Sequence, residues 1–370
     1  MSGARASAPG NAVARRLRRY ALPEGNVQIA FSGGRTSAYM LFQLLRANGT
    51  LPERVVVTFQ NTGLEMWQTL DFVQECADRW GVPIVWLEYA PRRALKPEEY
   101  ELVERHFGAE YAALFAEWWA RSMNPAGFNR VSHNSCARDG EPFLALILLR
   151  KFLPNQNSRF CTTELKVRTA KRFLMSLGWV EWINCVGLRA DEPRRIKPEG
   201  VKFKDRWTVW QPLNHAGVTK RIVAQFWRDQ LFDLRLSNIN GNCWLGNCNG
   251  CFLKSEAHVA AFHRDHPQLA WWWECAENLI QSLWPALSQW QRLRRIVSAD
   301  SEIAPKLREA YGRPVPSSVI RGMVDQPRSA GQFSKRYGRA ELRRFVESQG
   351  DWIFDTEDAL CQARGGECVG

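Results

Sequence analysis

The chain has 370 residues, 50 Lys plus Arg against 38 Asp plus Glu for a formal net charge of +12, and 45% hydrophobic with 24% charged residues. That is the make-up of a soluble globular chain with a well-buried core and two domains, or one domain with insertions. No apolar run approaches a membrane span and no secretory signal is visible, so a cytoplasmic protein without a membrane partner is expected. The first 25 residues form an Arg-rich, acid-poor tail. Val27–Ala30 is β-prone and apolar and runs into Ser32-Gly33-Gly34, after which Met40, Leu41, Leu44 and Leu45 carry helical spacing. A glycine loop at a helix N-terminus gathers backbone N–H donors and the positive end of the helix dipole, which suits phosphate. Ser32, Thr36 and Ser37 add hydroxyls there. Val55-Val56-Val57-Thr58-Phe59 reads as a second strand bounded by Asn61-Thr62-Gly63, followed by a helix from Trp67 to Trp80. Ile84-Val85-Trp86-Leu87 is a third strand. Residues 90–135 read as a helical insertion, amphipathic from Pro97 to Trp119. Helices from Pro142 to Phe152 and from Thr163 to Leu177 lead to a strand at Trp182-Ile183-Asn184-Cys185-Val186 and the loop Gly187-Leu188-Arg189. Continuous apolar strands alternating with helices imply an α/β, doubly wound, mainly parallel, Rossmann-like sheet, with ligands beyond the C-terminal strand ends. From Thr219 the chain reads as mostly helical. The expected division is a tail at 1–25, an α/β domain at 26–218 and a helical region at 219–370.

Ten cysteines in such a chain argue for reduced thiols, metal ligands or redox chemistry rather than a disulfide framework. Cys243, Cys248 and Cys251 make a C-x4-C-x2-C run in a loop rich in Gly and Asn, which is a metal-binding pattern. Soft thiolates at this spacing suit an iron–sulfur cluster, which needs a fourth cysteine. Cys161 stands at the start of an expected helix, where the dipole would favour its thiolate. Zinc is the competing metal, because His263 and His266 follow Cys248 and Cys251, although the gaps are short for a finger and Cys243 would be left over. The basic balance suits an anionic partner such as a nucleotide or a nucleic acid. Most of the 17 tryptophans, Trp271-Trp272-Trp273 among them, are expected in the core or at contacts of a homo-oligomer.

Four separated motifs, in order over roughly residues 26–255, resemble the phosphoadenosine-phosphosulfate (PAPS) reductase family of the PP-loop, or adenine nucleotide alpha-hydrolase-like, superfamily. Ser32-Gly33-Gly34-Arg35-Thr36-Ser37 resembles the Ser-Gly-Gly-x-Asp-Ser loop. Phe59-Gln60-Asn61-Thr62-Gly63 with Gln68-Thr69 resembles the Asp-Thr-Gly…Glu-Thr segment. Cys161 and Lys166 resemble the Cys-Cys…Lys motif, and Gly187 to Arg195 resembles the arginine loop that grips sulfonucleotide phosphates. Thr36 and Asn61 stand where the family has Asp, which weakens the case for Mg²⁺-assisted ATP cleavage. Thr162 takes the second position of the cysteine pair, leaving Cys161, Cys243, Cys248 and Cys251 as the four ligands of a 4Fe–4S cluster. The terminal Gly366-Glu367-Cys368-Val369-Gly370 partly echoes the family's Glu-Cys-Gly-Leu/Ile-His.

The resemblance implies an enzyme that binds ATP, PAPS or adenosine phosphosulfate through Ser32, Gly33, Gly34, Arg35, Thr36, Ser37, Asn61, Thr62, Gly63, Gly187, Arg189, Arg194 and Arg195. Sulfur chemistry would proceed beside the cluster with Cys368 and Lys166 as catalytic residues and a reductant or electron-donor protein as partner. Cys361 and Cys136 are further thiols, and His133 and His215 further loop contacts. Two other readings keep the fold: ATP-dependent sulfur insertion into a nucleic acid or small molecule, and a non-catalytic nucleotide or redox sensor or nucleic-acid-binding component of a complex.

Overall fold

The computed structural model describes residues 17–156, 158–196, 206–239, 242–243, 245–283, 331–334 and 336–349. Most of the expected tail and the terminal Cys361 and Cys368 lie outside these residues. Six strands form the main sheet: β1 (Val27–Ala30), β2 (Val55–Asn61), β3 (Ile84–Tyr89), β4 (Phe128–Val131), β5 (Trp182–Cys185) and β6 (Trp207–Trp210). Their spatial order is β4-β3-β2-β1-β5-β6. Every pairing is parallel except that of β4 with β3. The chain leaves β1 toward β2 and β3, then returns to the other side of β1 to place β5 and β6. The β1–β5 boundary is therefore the switch point, where loops leaving two adjacent strands diverge and open a crevice.

Helices cover both faces, as buried parallel strands require. On one face lie α1 (Arg35–Asn48) and α2 (Trp67–Trp80), joined by α7 (Lys220–Arg228) from beyond the sheet. Phe42 meets Trp80 at 5.6 Å and Phe226 at 4.9 Å, and Phe72 meets Trp227 at 5.1 Å, in an aromatic seam. The opposite face carries α5 (Glu141–Arg150), a π-helical stretch at Thr162–Arg168 and α6 (Thr169–Ser176). Ala170, Phe173 and Leu174 of α6 bury against Leu87 and Trp182.

The 90–135 stretch contains α3 (Pro97–Phe107) and α4 (Ala109–Ser122), broken at Gly108. It is not wholly helical, because β4 follows and closes the β3 edge of the sheet. The helix expected from Thr163 to Leu177 starts with π-helical turns before becoming α6. The last part holds a two-stranded ribbon, β7 (Asn238–Ile239) with β8 (Asn242–Cys243), then α8 (Glu256–Asp265), α9 (Pro267–Ser282) and α10 (Arg339–Gln349). Trp272 and Trp273 of α9 are buried, Trp272 Nε1 donating to the Tyr111 hydroxyl at 3.1 Å, whereas Trp271 is 44% exposed. No described helix is long and apolar enough to cross a membrane.

Candidate functional site

The loop after β1 closes on its own hydroxyls. Ser32 N–H donates to Ser37 Oγ at 3.2 Å, Ser37 Oγ donates to the Gly34 carbonyl at 2.9 Å, and the two serine hydroxyls lie 3.1 Å apart. Gly33 sits at φ +76°, and a Cβ there would come within 2.8 Å of Thr69 Cγ2. Glycine is thus required both by the backbone and by the close approach of α2. Gly34 caps α1 without a side-chain bond, and the first turn holds no acidic residue, so the N-terminal donors face no competing carboxylate. Arg35 turns away from the loop: its Nε donates to Asp233 at 2.7 Å and Nη2 pairs with the same carboxylate. Trp227 Nε1 fixes the Arg35 carbonyl at 2.9 Å.

The loop after β5 approaches from the other side of the switch point. A Cβ at Gly187 would stand 3.5 Å from Ser37 Cα, so the two loops are in contact at the helix N-terminus. Arg189 is 4% exposed and bridges them, with Nη1 donating to Thr36 Oγ1 at 3.1 Å and Nε to Asp191 at 2.9 Å. Its backbone N–H donates to Glu192 at 3.0 Å, and Arg195 pairs with the same Glu192. Although burial pulls the other way, the Lys220 N–H and Arg189 hold the Asp191 carboxyl below its usual range. Arg194 is exposed. The loop is therefore a salt-bridged structure that also places Arg189 at the Ser32–Ser37 loop.

At the end of β2, Asn61 is fully buried. Its Nδ2 donates to Glu88 Oε1 and to the Ala137 carbonyl, both at 2.7 Å, and its Oδ1 accepts the Gly63 N–H at 3.2 Å. Burial pushes the Glu88 carboxyl up to about 7, against the bonds from Asn61 and Ala137. Gly63 is clamped from above, its carbonyl accepting from Gly140 N–H at 2.9 Å. Thr62 donates its N–H and hydroxyl to Glu65, at 2.9 Å each, and its Oγ1 lies 3.3 Å from Cys248 Sγ.

That contact opens on a cavity lined by Thr62, Cys161, Lys166, Cys248, Cys251 and Phe252, among others. Three elements distant in sequence meet there: the end of β2, the π-helical stretch and the cysteine loop. A backbone bridge from Glu65 to Cys248 and the bond from Asn249 N–H to the Leu64 carbonyl, 2.7 Å, zip the cysteine loop onto β2. Burial, then the charge of Cys251, pushes the Cys161 thiol up to about 11, outweighing its position at a helix start and reversing the expected thiolate preference. Cys248 is pushed up to about 12 by burial and by Glu65. Burial alone would lower Lys166, but Cys248, Glu65, Cys251 and Cys161 together raise it. The expected ligands Cys161, Cys248 and Cys251 thus share one cavity beside Lys166. Among the described residues, though, no three His, Cys, Asp or Glu side chains are close enough to hold a metal as they stand. Cys243 is placed by its backbone in β8, and its side chain lies outside the description.

His263 does not face this cavity. It is buried with Nε2 3.5 Å from Arg339 Nη1, and burial plus Arg339 and Arg343 lower it to about 3. His133 pairs with Asp71 at 2.7 Å, and Cys136, buried and pushed up to about 12, donates to the His133 carbonyl at 3.2 Å. The His215 carbonyl accepts from Arg19 at 2.6 Å. Three residues that sequence reasoning passed over hold the cysteine loop from outside the cavity: Glu65, Lys254 and Arg339. Only Glu65, two positions after Thr62-Gly63, carried a local signal.

No protein-family model matches the chain. It is similar to the uncharacterized nin region protein ORF290 of Escherichia phage lambda, 26% identical over 246 residues, which are 65% of this chain and 70% of that protein. A crystal structure of PAPS reductase from Candida auris in a phosphate complex matches 57% of this chain and 82% of its own length, at 16% identity and a TM-score of 0.29.

Proposed function

We propose that this chain is an enzyme that binds an adenine nucleotide or sulfonucleotide at the Ser32–Ser37 loop and carries out sulfur transfer or reduction beside a cysteine-bound 4Fe–4S cluster. The observation that carries the reading is the union of two loops at the β1–β5 switch point, made by the Arg189–Thr36 bond of 3.1 Å. A switch point is where doubly wound sheets bind ligands, and here it presents a glycine loop, a bare helix N-terminus and a buried guanidinium. The four motifs that resemble the PAPS reductase family converge on the same C-terminal edge of the sheet.

In this reading Ser32, Gly34 and Ser37 supply hydroxyl and backbone donors to phosphate or sulfate oxygens, and Arg189 supplies charge at Thr36. Arg195 and exposed Arg194 lie on the same arginine loop. Arg35 is committed to Asp233 and shapes the loop instead. Thr36 is bonded to Arg189 and Asn61 to Glu88, so neither motif offers the carboxylate that Mg²⁺ favours. This favours a sulfonucleotide over ATP cleavage.

What supports a thiolate-bound group is the chemistry of the lining, three cysteines in one cavity with Lys166, although their thiols are not gathered closely enough to hold a metal as they stand. Cys161, Cys248 and Cys251 would hold the cluster with Cys243, and the cluster would supply soft, redox-active charge beside the reacting sulfur. Lys166 would place a cation at the reacting oxyanion, and Cys368 is the proposed thiolate that attacks the sulfonyl sulfur, forming an S–S bond as the S–O bond to phosphate breaks and the nucleotide leaves; a dithiol reductant then frees sulfite and is itself oxidised to a disulfide.

Anaerobically purified full-length protein tests the reading. It should be brown, with iron and acid-labile sulfide, and should release sulfite from PAPS or adenosine phosphosulfate when given a dithiol reductant. Pyrophosphate release from ATP would move the assignment to nucleotide-driven sulfur insertion. Binding of nucleotide with no turnover of any of the three would leave a sensor. Stoichiometric zinc in a colourless protein would sink the cluster.

A further inference from the structure

Arg339 opens α10 and is only 1% exposed, 88 residues beyond the last cysteine of the loop. Its Nη2 donates at 2.6 Å to the carbonyl of Gly250, in the turn between Cys248 and Cys251. The guanidinium stands 5.0 Å over the Trp273 ring and 5.6 Å over that of Phe333. Its Nε has no hydrogen-bond partner among the described residues. Glu277, the nearest carboxylate by hydrogen bonding, accepts from the backbone N–H groups of Arg339 at 2.6 Å and Phe333 at 2.9 Å and makes no ion pair with the guanidinium among the described residues. A buried cation in this condition is costly unless negative charge lies close by.

Two more cations share the pattern. Lys254, 7% exposed, donates Nζ to the Cys248 carbonyl at 2.9 Å and the Asn249 carbonyl at 3.4 Å. Lys166 lines the cavity itself. Three cations therefore border the cysteine loop, which Glu65 meets through its backbone bridge to Cys248. The loop has no slack, since a Cβ at Gly250 would come within 2.7 Å of both Phe262 and Trp273, so Arg339 fixes its backbone rather than following it.

We propose that Arg339 is a positioning residue for a thiolate-bound metal centre at Cys161, Cys248 and Cys251. It holds the Gly250 turn and supplies buried positive charge that balances ligated thiolates, which makes the start of α10 a support behind the cysteine loop. The inference rests on the metal centre of the preceding reading.

The test compares full-length wild type with R339K, R339M, K254M and R343M, all purified anaerobically. The readouts are metal and sulfide content, rate of metal loss to a chelator, and thermal unfolding by circular dichroism. R339M is expected to lose metal about tenfold faster than wild type, the usual scale for partners that support metal ligands. R339K keeps the charge and should restore most of the retention. R343M changes an exposed ion pair on the same helix and should match wild type. For a one-electron cluster, R339M should also favour the oxidised state by about tenfold, or about 59 mV toward more negative potential, because removing a cation disfavours added electrons. Should R339M fail to fold, K254M decides by the same release rate, where a wild-type rate overturns the proposal. Equal loss of stability in R339K and R339M, with wild-type metal retention in both, would make Arg339 a packing residue only. A loaded wild type with an unaltered R339M overturns this inference alone; a metal-free wild type overturns the centre itself and the inference with it.

Discussion

Replacing Gly33 by alanine isolates what the phosphate loop demands of its backbone. Gly33 lies at φ +76°, with Thr69 Cγ2 2.8 Å, Val73 Cγ2 3.1 Å and Phe59 Cε2 3.2 Å from where the new methyl would stand. Thr69 and Val73 are short β-branched side chains, almost wholly buried on α2, and neither can swing aside. The left-handed backbone costs about 1–2 kcal/mol for alanine, and forcing a methyl into a filled core adds about 1–3 kcal/mol. Gly25 is the internal standard: it has φ +84° and nothing within 4 Å of its added Cβ. G25A should therefore show only the backbone cost, and G33A should lose about 1–3 kcal/mol more. Urea unfolding followed by tryptophan fluorescence reads both, at unchanged m. Phosphate and nucleotide binding by calorimetry should fail in G33A and persist in G25A. Equal midpoints for the two variants would refute the packing argument, and intact binding in G33A would refute the loop as the phosphate site.

Arg189→Met removes the side-chain bonds to Thr36 and Asp191 while Glu192 keeps Arg195, so it should destabilise by about 1–3 kcal/mol and abolish sulfonucleotide binding; wild-type affinity by calorimetry would contradict the bridge to Thr36. Glu88 and Glu277 are each raised by burial from 4.5 to about 7, so the native chain keeps protons that the unfolded chain releases. Stability should then be greatest below pH 4.5 and fall by about 3 kcal/mol per group as pH rises to 7; E88Q should roughly halve that slope in urea midpoints between pH 4 and 8. Asn61→Asp should set two carboxylates at hydrogen-bond distance, forcing them to share a proton, with a loss of about 2–4 kcal/mol at pH 8 that recedes at pH 5. A flat pH response of that variant would remove the Asn61–Glu88 bond from the account.

Four of the six sheet strands were readable because each is rich in apolar, β-prone residues and is bounded by turn or helix signals. β4 and β6 were not. Phe128–Val131 contains Asn129 and Arg130 and becomes a strand only because the β3 edge offers its hydrogen bonds. Trp207–Trp210 has its first ring held by stacking on Trp182 at 5.4 Å, a contact between residues far apart in sequence. The phosphate loop was readable for the opposite reason, since Ser32 to Ser37 is contiguous and its bonds are local. What joins it to the rest is not: Arg189 reaches Thr36 across 153 residues and Arg339 reaches Gly250 across 89.

Asn61 shows why such partners escape a reading along the chain. Taken alone, it is an Asp-Thr-Gly segment that has lost its carboxylate, which suggests weakened function. In the sheet, Asn61 stands in register with Glu88 on β3, and the amide donates to that carboxylate at 2.7 Å. An amide is the side chain that can both donate to Glu88 and accept from Gly63. An aspartate at position 61 could do only one of these without taking up a proton. The amide at position 61 is thus matched to the buried carboxylate on the neighbouring strand. Its cost is borne in Glu88, whose burial keeps it protonated near neutral pH and ties the stability of the site's β2 edge to pH.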